Sequence, residues 1–278
     1  MTENILEKII KKKTERLTNL KKKRPIESLK EHKPDSMDYI DFRETIESNI
    51  SQNKISIIAE IKKASPSAGI IIENYNPVDI ANIFYKNNAT CLSVLTEEDF
   101  FLGSLGHIYK IKSKVDPRDP VAMHIPILCK DFFIDPYQVR LAKYYGADAI
   151  LIILSAVTEK MANQLYEDAL KLDMSVVVEV HTKEEAKNSI KFKDALIGIN
   201  NRNLKTLETN VNTTYDIHDI LINHSGPLIS ESGIKTKEEL LEITKKTKIQ
   251  TFLIGESLLK NLKNNPIFSI LWSNKPWF

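Results

Sequence analysis

From Ser56 onward, short β-branched runs alternate with longer amphipathic stretches, the pattern of successive strand and helix units rather than of hairpins. The predicted strands are Ser56 to Ile61, Thr90 to Leu95, Ile125 to Cys129, Ala149 to Ile153, Ser175 to Val180, Ala195 to Ile199, Pro227 to Ser230 and Thr251 to Ile254. Helical sequence follows each. Several helix starts are marked: Asp135-Pro136 offers a cap with proline in the first turn, and Thr182 with Glu185, like Thr236 with Glu239, has the spacing of a capping box. Eight such units fit between residues 56 and 262, the scale of a closed (β/α)8 barrel, for which ~250 residues is typical. A doubly wound open sheet is the competing α/β architecture. It often carries a G-x-G-x-x-G turn after its first strand, and none occurs here. The expected fold is therefore α/β, a (β/α)8 barrel over residues 51–278 preceded by an N-terminal helical extension over residues 1–50.

In that extension Ile5, Ile9, Ile10, Leu17 and Leu20 recur near helical spacing among lysines, which predicts an amphipathic helix lying on the barrel. Charge raises a second reading. Residues 1–33 hold 11 Lys and Arg against 5 Asp and Glu, so a net charge of +2 conceals a segment at +6 and a body at −4. A basic arm suits nucleic acid or an anionic membrane, but no aromatics interleave the lysines and glutamates interrupt them, so neither partner is expected. Two further stretches fall outside the repeat. Lys112 to His124, with two Asp-Pro steps, predicts a surface loop, and Trp272 and Trp277 sit in a tail expected to pack on the barrel wall.

Composition narrows the setting. With 278 residues, 42% hydrophobic and 27% charged, the chain is globular, and its longest aliphatic runs, such as Ile150 to Leu154, are far short of the ~20 residues that span a membrane. Two cysteines, Cys91 and Cys129, make no disulfide framework, and no signal peptide is evident, which predicts a reduced, cytoplasmic protein. The six histidines show no ligand-like spacing, so no metal and no cofactor is expected. His181 follows Glu179 by two, a spacing that could point it into the mouth, but beside Thr182 a loop histidine at a helix start is the plainer reading. A monomer or a homodimer is expected.

Strand side chains alternate, so one parity points into the barrel and the other toward the helices. Ile58, Glu60 and Lys62 share one parity; Leu128 and Lys130, Val177 and Glu179, and Gly198, Asn200 and Arg202 behave alike. Each of these strands keeps its charge for its carboxyl end, where the catalytic groups of such barrels sit. Two lysines, two carboxylates, an amide and an arginine at one mouth suit an anionic substrate and proton transfer. A ring of ion pairs that merely closes the barrel is the alternative. Glycine is scarce, at eight residues, yet Glu231-Ser232-Gly233 and Gly255-Glu256-Ser257 follow the last two strands, the loops that form the usual barrel phosphate site. Ordinary turn glycines are the plainer reading. The residues alone thus point to an enzyme acting on a phosphorylated, acidic small molecule by acid and base chemistry.

At this point a resemblance enters. Ile58-Ala59-Glu60-Ile61-Lys62-Lys63-Ala64-Ser65-Pro66-Ser67-Ala68-Gly69 resembles the signature of the indole-3-glycerol phosphate synthase family. Leu92-Ser93-Val94-Leu95-Thr96-Glu97, Phe101-Leu102-Gly103-Ser104, Lys130-Asp131-Phe132, Gly198-Ile199-Asn200-Asn201-Arg202, Glu231-Ser232-Gly233 and Leu253-Ile254-Gly255-Glu256 follow in the family's order. The resemblance implies decarboxylating, dehydrating ring closure of 1-(2-carboxyphenylamino)-1-deoxy-D-ribulose 5-phosphate to indole-3-glycerol phosphate, a step of tryptophan biosynthesis. It implies Lys130 as general acid, Glu179 as base, Lys62 as a second acid or electrostatic partner, and Glu60 and Asn200 as orienting groups. It further implies that Arg202, Ser65 and Ser67 bind the anthranilate carboxylate, that Pro66, Phe101, Phe132, Leu151 and Leu204 line the aromatic slot, and that Ser232, Gly233, Gly255 and Glu256 hold phosphate. The extra N-terminal helix is expected over the barrel mouth. Cys129 and Ala68 depart from common family residues, and Glu256 stands where some relatives have serine, which sets a carboxylate near the phosphate unless its side chain turns away. A phosphate-binding isomerase or a Schiff-base aldolase is the rival enzyme, and a barrel that binds RNA through residues 1–33 is the rival of another class.

Overall fold

The computed structural model describes residues 3–29, 40–113, 125–262 and 264–272. Eight parallel strands close on themselves: β1 (Ser56–Ile61), β4 (Cys91–Leu95), β5 (Ile127–Lys130), β6 (Ala149–Ile153), β7 (Ser175–Val180), β8 (Leu196–Asn200), β9 (Leu228–Glu231) and β10 (Thr251–Ile254). The ring is completed where Ser56 of β1 stands beside Thr251 of β10. Two short strands, β2 (Ala64–Ser65) and β3 (Gly69–Ile70), form an antiparallel hairpin above β1 that the alternation does not predict. Helices α3 (Pro77–Lys86), α4 (Leu105–Ser113), α5 (Pro136–Tyr144), α6 (Glu159–Leu170), α7 (Lys183–Ser189), α8 (Asn212–Leu221), α9 (Lys237–Thr247) and α10 (Glu256–Lys260) separate and follow the strands. The expected caps are present: Asp135, Thr182 and Thr236 each accept from the first turn of their helix, and Pro136 opens α5. No helix among the described residues is long and apolar enough to cross a membrane.

Alternation sorts the strand side chains into two layers. Ile58, Cys91, Leu128, Leu151, Val177, Leu196, Ile229 and Leu253 fill the barrel, whereas Ile57, Ala59, Val94, Ile127, Ile150, Val176 and Ile197 pack under the helices. Cys129 joins the outer layer, as its parity requires. Four strands begin later than expected: β4 and β8 start one residue on, at Cys91 and Leu196, and β5 and β9 have a physical reason. Pro126 and Pro227 lack the N–H that a ladder needs, so β5 and β9 start beyond them and extend to Lys130 and Glu231.

The N-terminal extension divides between the two ends of the barrel. Helix α1 (Ile5–Lys23) lies over the carboxyl ends of the strands: its buried Lys13 meets Asp131, just beyond β5, at 2.6 Å, and Arg16 pairs with Glu98 and Asp99. Helix α2 (Phe42–Ser51) plugs the opposite end, with Phe42 and Ile46 fully buried against the barrel core. Its polar contacts reach strand beginnings, Arg43 N to Ser175 Oγ at 3.2 Å and Asn49 Nδ2 to Ser56 Oγ at 3.0 Å. An extension wholly at the mouth is therefore corrected: α2 has an apolar face that matches the floor of the barrel. Lys112 is a second correction. It lies in the last turn of α4 as a buried residue whose Nζ donates to the buried Asp148 carboxylate at 2.5 Å, so the predicted loop does not begin there. Residues 114–124, Trp277 and the side chain of Trp272 lie outside the described residues.

Candidate active site

At the carboxyl ends of the strands lies a cavity of about 1070 Å3. Every residue that the sequence marks as catalytic or binding borders it, including Leu151, Leu204 and Glu256, and Ile5, Leu6 and Ile9 of α1 add an apolar wall. On the floor, Lys130 Nζ donates to Glu179 Oε2 at 2.6 Å and to Glu231 Oε2 at 2.8 Å. Asn200 Nδ2 donates to Glu179 Oε1 at 3.0 Å, and its own Oδ1 accepts from Arg202 N at 2.9 Å. Beside them Lys62 Nζ donates to Glu60 Oε1 at 2.5 Å. The expected ion pairs exist, but they face a cavity large enough for a substrate, where a merely structural ring would fill its space.

Burial works against a charged Lys130, yet Glu179, Glu231 and Glu60 outweigh it and hold the ammonium well above its ordinary range. Burial likewise opposes ionised Glu179, but Lys130 and His181 hold that carboxyl well below the usual range. Glu231 goes the other way. Burial, with Glu179 and Glu60 as like charges, outweighs Lys130 and pushes it up to about 7. The two carboxylates that pair with Lys130 are thus set apart, one firmly ionised and one able to carry a proton near neutrality.

Glu231 is the principal group that the sequence reading misses as a site residue, although parity contains it, since Ile229 points inward two residues earlier. Two glycines make room for the charges. A Cβ at Gly198 would lie 2.0 Å from Glu231 Oε1, and one at Gly255 would lie 2.4 Å from Glu60 Oε1. His181 stands before the N-cap of α7, the helix start expected of it, and its ring also meets the floor. Its Nε2 stands 3.1 Å from Glu179 Oε1 and its Nδ1 3.4 Å from Glu185 Oε2.

The cavity lining is of two characters. Phe101 and Phe132, with centroids 6.3 Å apart, line it together with the apolar Pro66, Leu151 and Leu204. Glu97 builds the loop that carries Phe101, since its Oε2 accepts from Phe100 N at 2.7 Å and Phe101 N at 3.1 Å. Above this slot Arg202 donates through Nη1 to Ser67 Oγ, while Ser65 Oγ accepts from Ala68 N at 3.2 Å and shapes the hairpin turn. In the loop after β9, Ser232 and Gly233 both adopt positive φ, 66° and 82°, and Asn201 Nδ2 ties down Ser232 O at 3.0 Å. Gly255 caps α10 with no side chain in the way. The Glu256 carboxylate is drawn toward Lys260, at 2.7 Å, with Arg202 at 4.0 Å. Among the described residues no group of three or more His, Cys, Asp or Glu is placed to hold a metal.

A family model for indole-3-glycerol phosphate synthase matches residues 6–267. The chain belongs to the indole-3-glycerol phosphate synthase family. Synthases of this name from Burkholderia multivorans and Bordetella pertussis are 37% and 38% identical to it, each over 92% of this chain and 94% of the relative. Members of the family are decarboxylating carbon–carbon lyases, and the chain is an enzyme of that class. Solved barrels share the fold at low identity. The tryptophan synthase alpha chain from Legionella pneumophila aligns with a TM-score of 0.56 at 12% identity, covering 82% of this chain and 91% of that one. A tryptophan synthase from M. tuberculosis aligns with a TM-score of 0.57 at 8% identity, covering 84% and 96%.

Proposed function

We propose that the chain catalyses the reaction of its family, closure of the indole ring of 1-(2-carboxyphenylamino)-1-deoxy-D-ribulose 5-phosphate with loss of carbon dioxide and water. The observation that carries this reading is Lys130, held as an ammonium between two carboxylates on the floor of a cavity whose lining includes both an aromatic slot and a glycine loop. The anthranilate ring occupies the slot with its carboxylate toward Arg202, and the phosphate occupies the backbone cradle at Ser232, Gly233 and Gly255. The Glu256 side chain, drawn to Lys260, leaves only its backbone amide for the phosphate.

Lys130 gives a proton to the ketone oxygen as the carboxylated ring carbon bonds to the carbonyl carbon, which leaves a hydroxyl. The electrons of the ring-to-carboxylate bond then restore aromaticity as carbon dioxide departs. In the last step Lys62 protonates the hydroxyl, water leaves, and Glu179 removes the proton from the adjacent carbon. Glu60 orients Lys62, and Asn200 orients Glu179. These are proton transfers and carbon–carbon bond changes, and the scheme assigns no metal or cofactor. A Schiff-base aldolase needs a neutral amine, whereas the carboxylates around Lys130 favour the ammonium.

Purified protein mixed with the carboxyphenylamino substrate is expected to generate indole fluorescence, and Lys130→Met to lower kcat by about 10² or more. Turnover near wild type in that variant, with the fold intact by circular dichroism, would overturn the assignment.

A further inference from the structure

One buried group beside the floor is not used by this scheme. His181 lies just beyond the end of β7, two residues after Glu179, and its side chain is only 10% exposed. The first turn of α7 holds it from behind: Glu185 Oε2 accepts from the His181 backbone N at 2.7 Å and stands 3.4 Å from the ring Nδ1. Thr182 Oγ1 in turn accepts from Glu185 N at 3.2 Å. Both ring nitrogens are buried without an aligned hydrogen bond, so the ring is held by the charge of the carboxylates on either side.

We propose that His181, as an imidazolium braced by Glu185, is a positioning residue for Glu179, holding its Oε1 edge and keeping it a carboxylate while Lys130 is without its proton. The inference rests on Glu179 being the base of the reaction. Once Lys130 has protonated the ketone, Glu179 is a buried anion whose neighbouring cation has been neutralised, and such a group takes up a proton unless another cation faces it. A protonated Glu179 is useless for the final step. His181 supplies the remaining cation on the side away from substrate. Burial opposes the imidazolium, but Glu179 and Glu185 outweigh it and raise the ring to about 9. Among the described residues around the ring, Lys183 and Glu184 are exposed, the turn Leu154–Ala156 has no titratable group, β8 presents the neutral Asn200, and Glu159 of α6 is exposed and paired with Lys191.

The test follows kcat and KM against pH for wild type, His181→Gln, Glu185→Gln and Glu179→Gln, with nitrogen-15 NMR titration of the histidine rings. Loss of such a supporting partner lowers activity by about 10–100-fold; His181→Gln is expected to show this in kcat with KM nearly unchanged, and to lose an alkaline limb near pH 9 that wild type displays. In Glu185→Gln, which keeps the ring, the His181 signal is expected to titrate below its wild-type value. A His181 ring that titrates at or below the ordinary histidine value in wild type, or unchanged kcat and pH profile in His181→Gln, would overturn the proposal. Wild-type turnover in Glu179→Gln would instead remove the base assignment on which it rests.

Discussion

A single carboxyl, Glu231, shows how chemistry and stability pull apart at one position. Its folded value near 7 lies above that of a free glutamate, so ionising it costs more in the folded protein than in the unfolded chain. The associated penalty is absent in acid and grows as pH rises from the ordinary glutamate range toward 7. Glu179 has the opposite sign: its lowered value contributes stability above the ordinary range that is lost on acidification. Glu231→Gln is therefore expected to raise Tm more at pH 8 than at pH 4, while kcat falls because Lys130 loses one of its two anchors. Thermal unfolding across that pH range checks the sign, and an equal shift at both ends would contradict it. Much of this floor is legible as parity, because Glu60, Lys130, Glu179 and Asn200 each follow inward neighbours that carry no polar side chain, and Lys62 continues the parity of Glu60. Glu231 shares the inward parity of Ile229 but does not stand out, because buried polar Ser230 precedes it and blurs the alternation in a four-residue strand.

Elements reveal what residue patterns hide. Lys13 on α1 and Lys112 on α4 read in sequence as solvated charges, since helical periodicity reports a face and not the element that will cover it. Their partners, Asp131 and Asp148, are 118 and 36 residues away in the chain and come near only through the barrel. Breaking a buried pair leaves one charge stranded, so Lys13→Met is expected to destabilise the protein by about 3 kcal/mol. Asp131 keeps hydrogen bonds from Thr96 Oγ1, at 2.6 Å, and Phe132 N, at 2.7 Å, which places the effect toward the lower end of such losses. Adding Asp131→Asn is expected to recover most of it, as denaturant unfolding of the double-mutant cycle would register. The exposed pairs of Arg16 with Glu98 and Asp99 contribute far less, and less still at high salt.

At the scale of the whole molecule, the eight-unit alternation and its inward parity suffice to name the barrel and the mouth. No local signal tells which end of the barrel an amphipathic helix will cover, and so α1 and α2 look alike in sequence while serving opposite ends. Separate readouts follow. Ile46→Ala in the floor plug is expected to cost about 3 kcal/mol of stability with KM unchanged, whereas Leu6→Ala at the mouth raises KM with a smaller loss of stability. Equal effects on KM would erase that distinction.

The pairing of Ser56 with Thr251 has a consequence for how the chain is made. Synthesis delivers β1 long before its last neighbour, so during translation one edge of β1 and the apolar face of α2 wait for partners still inside the ribosome. The barrel cannot close until β10 emerges, by which point every other strand has spent time with an open edge. A nascent chain stalled before residue 251 would therefore be the species most in need of a chaperone.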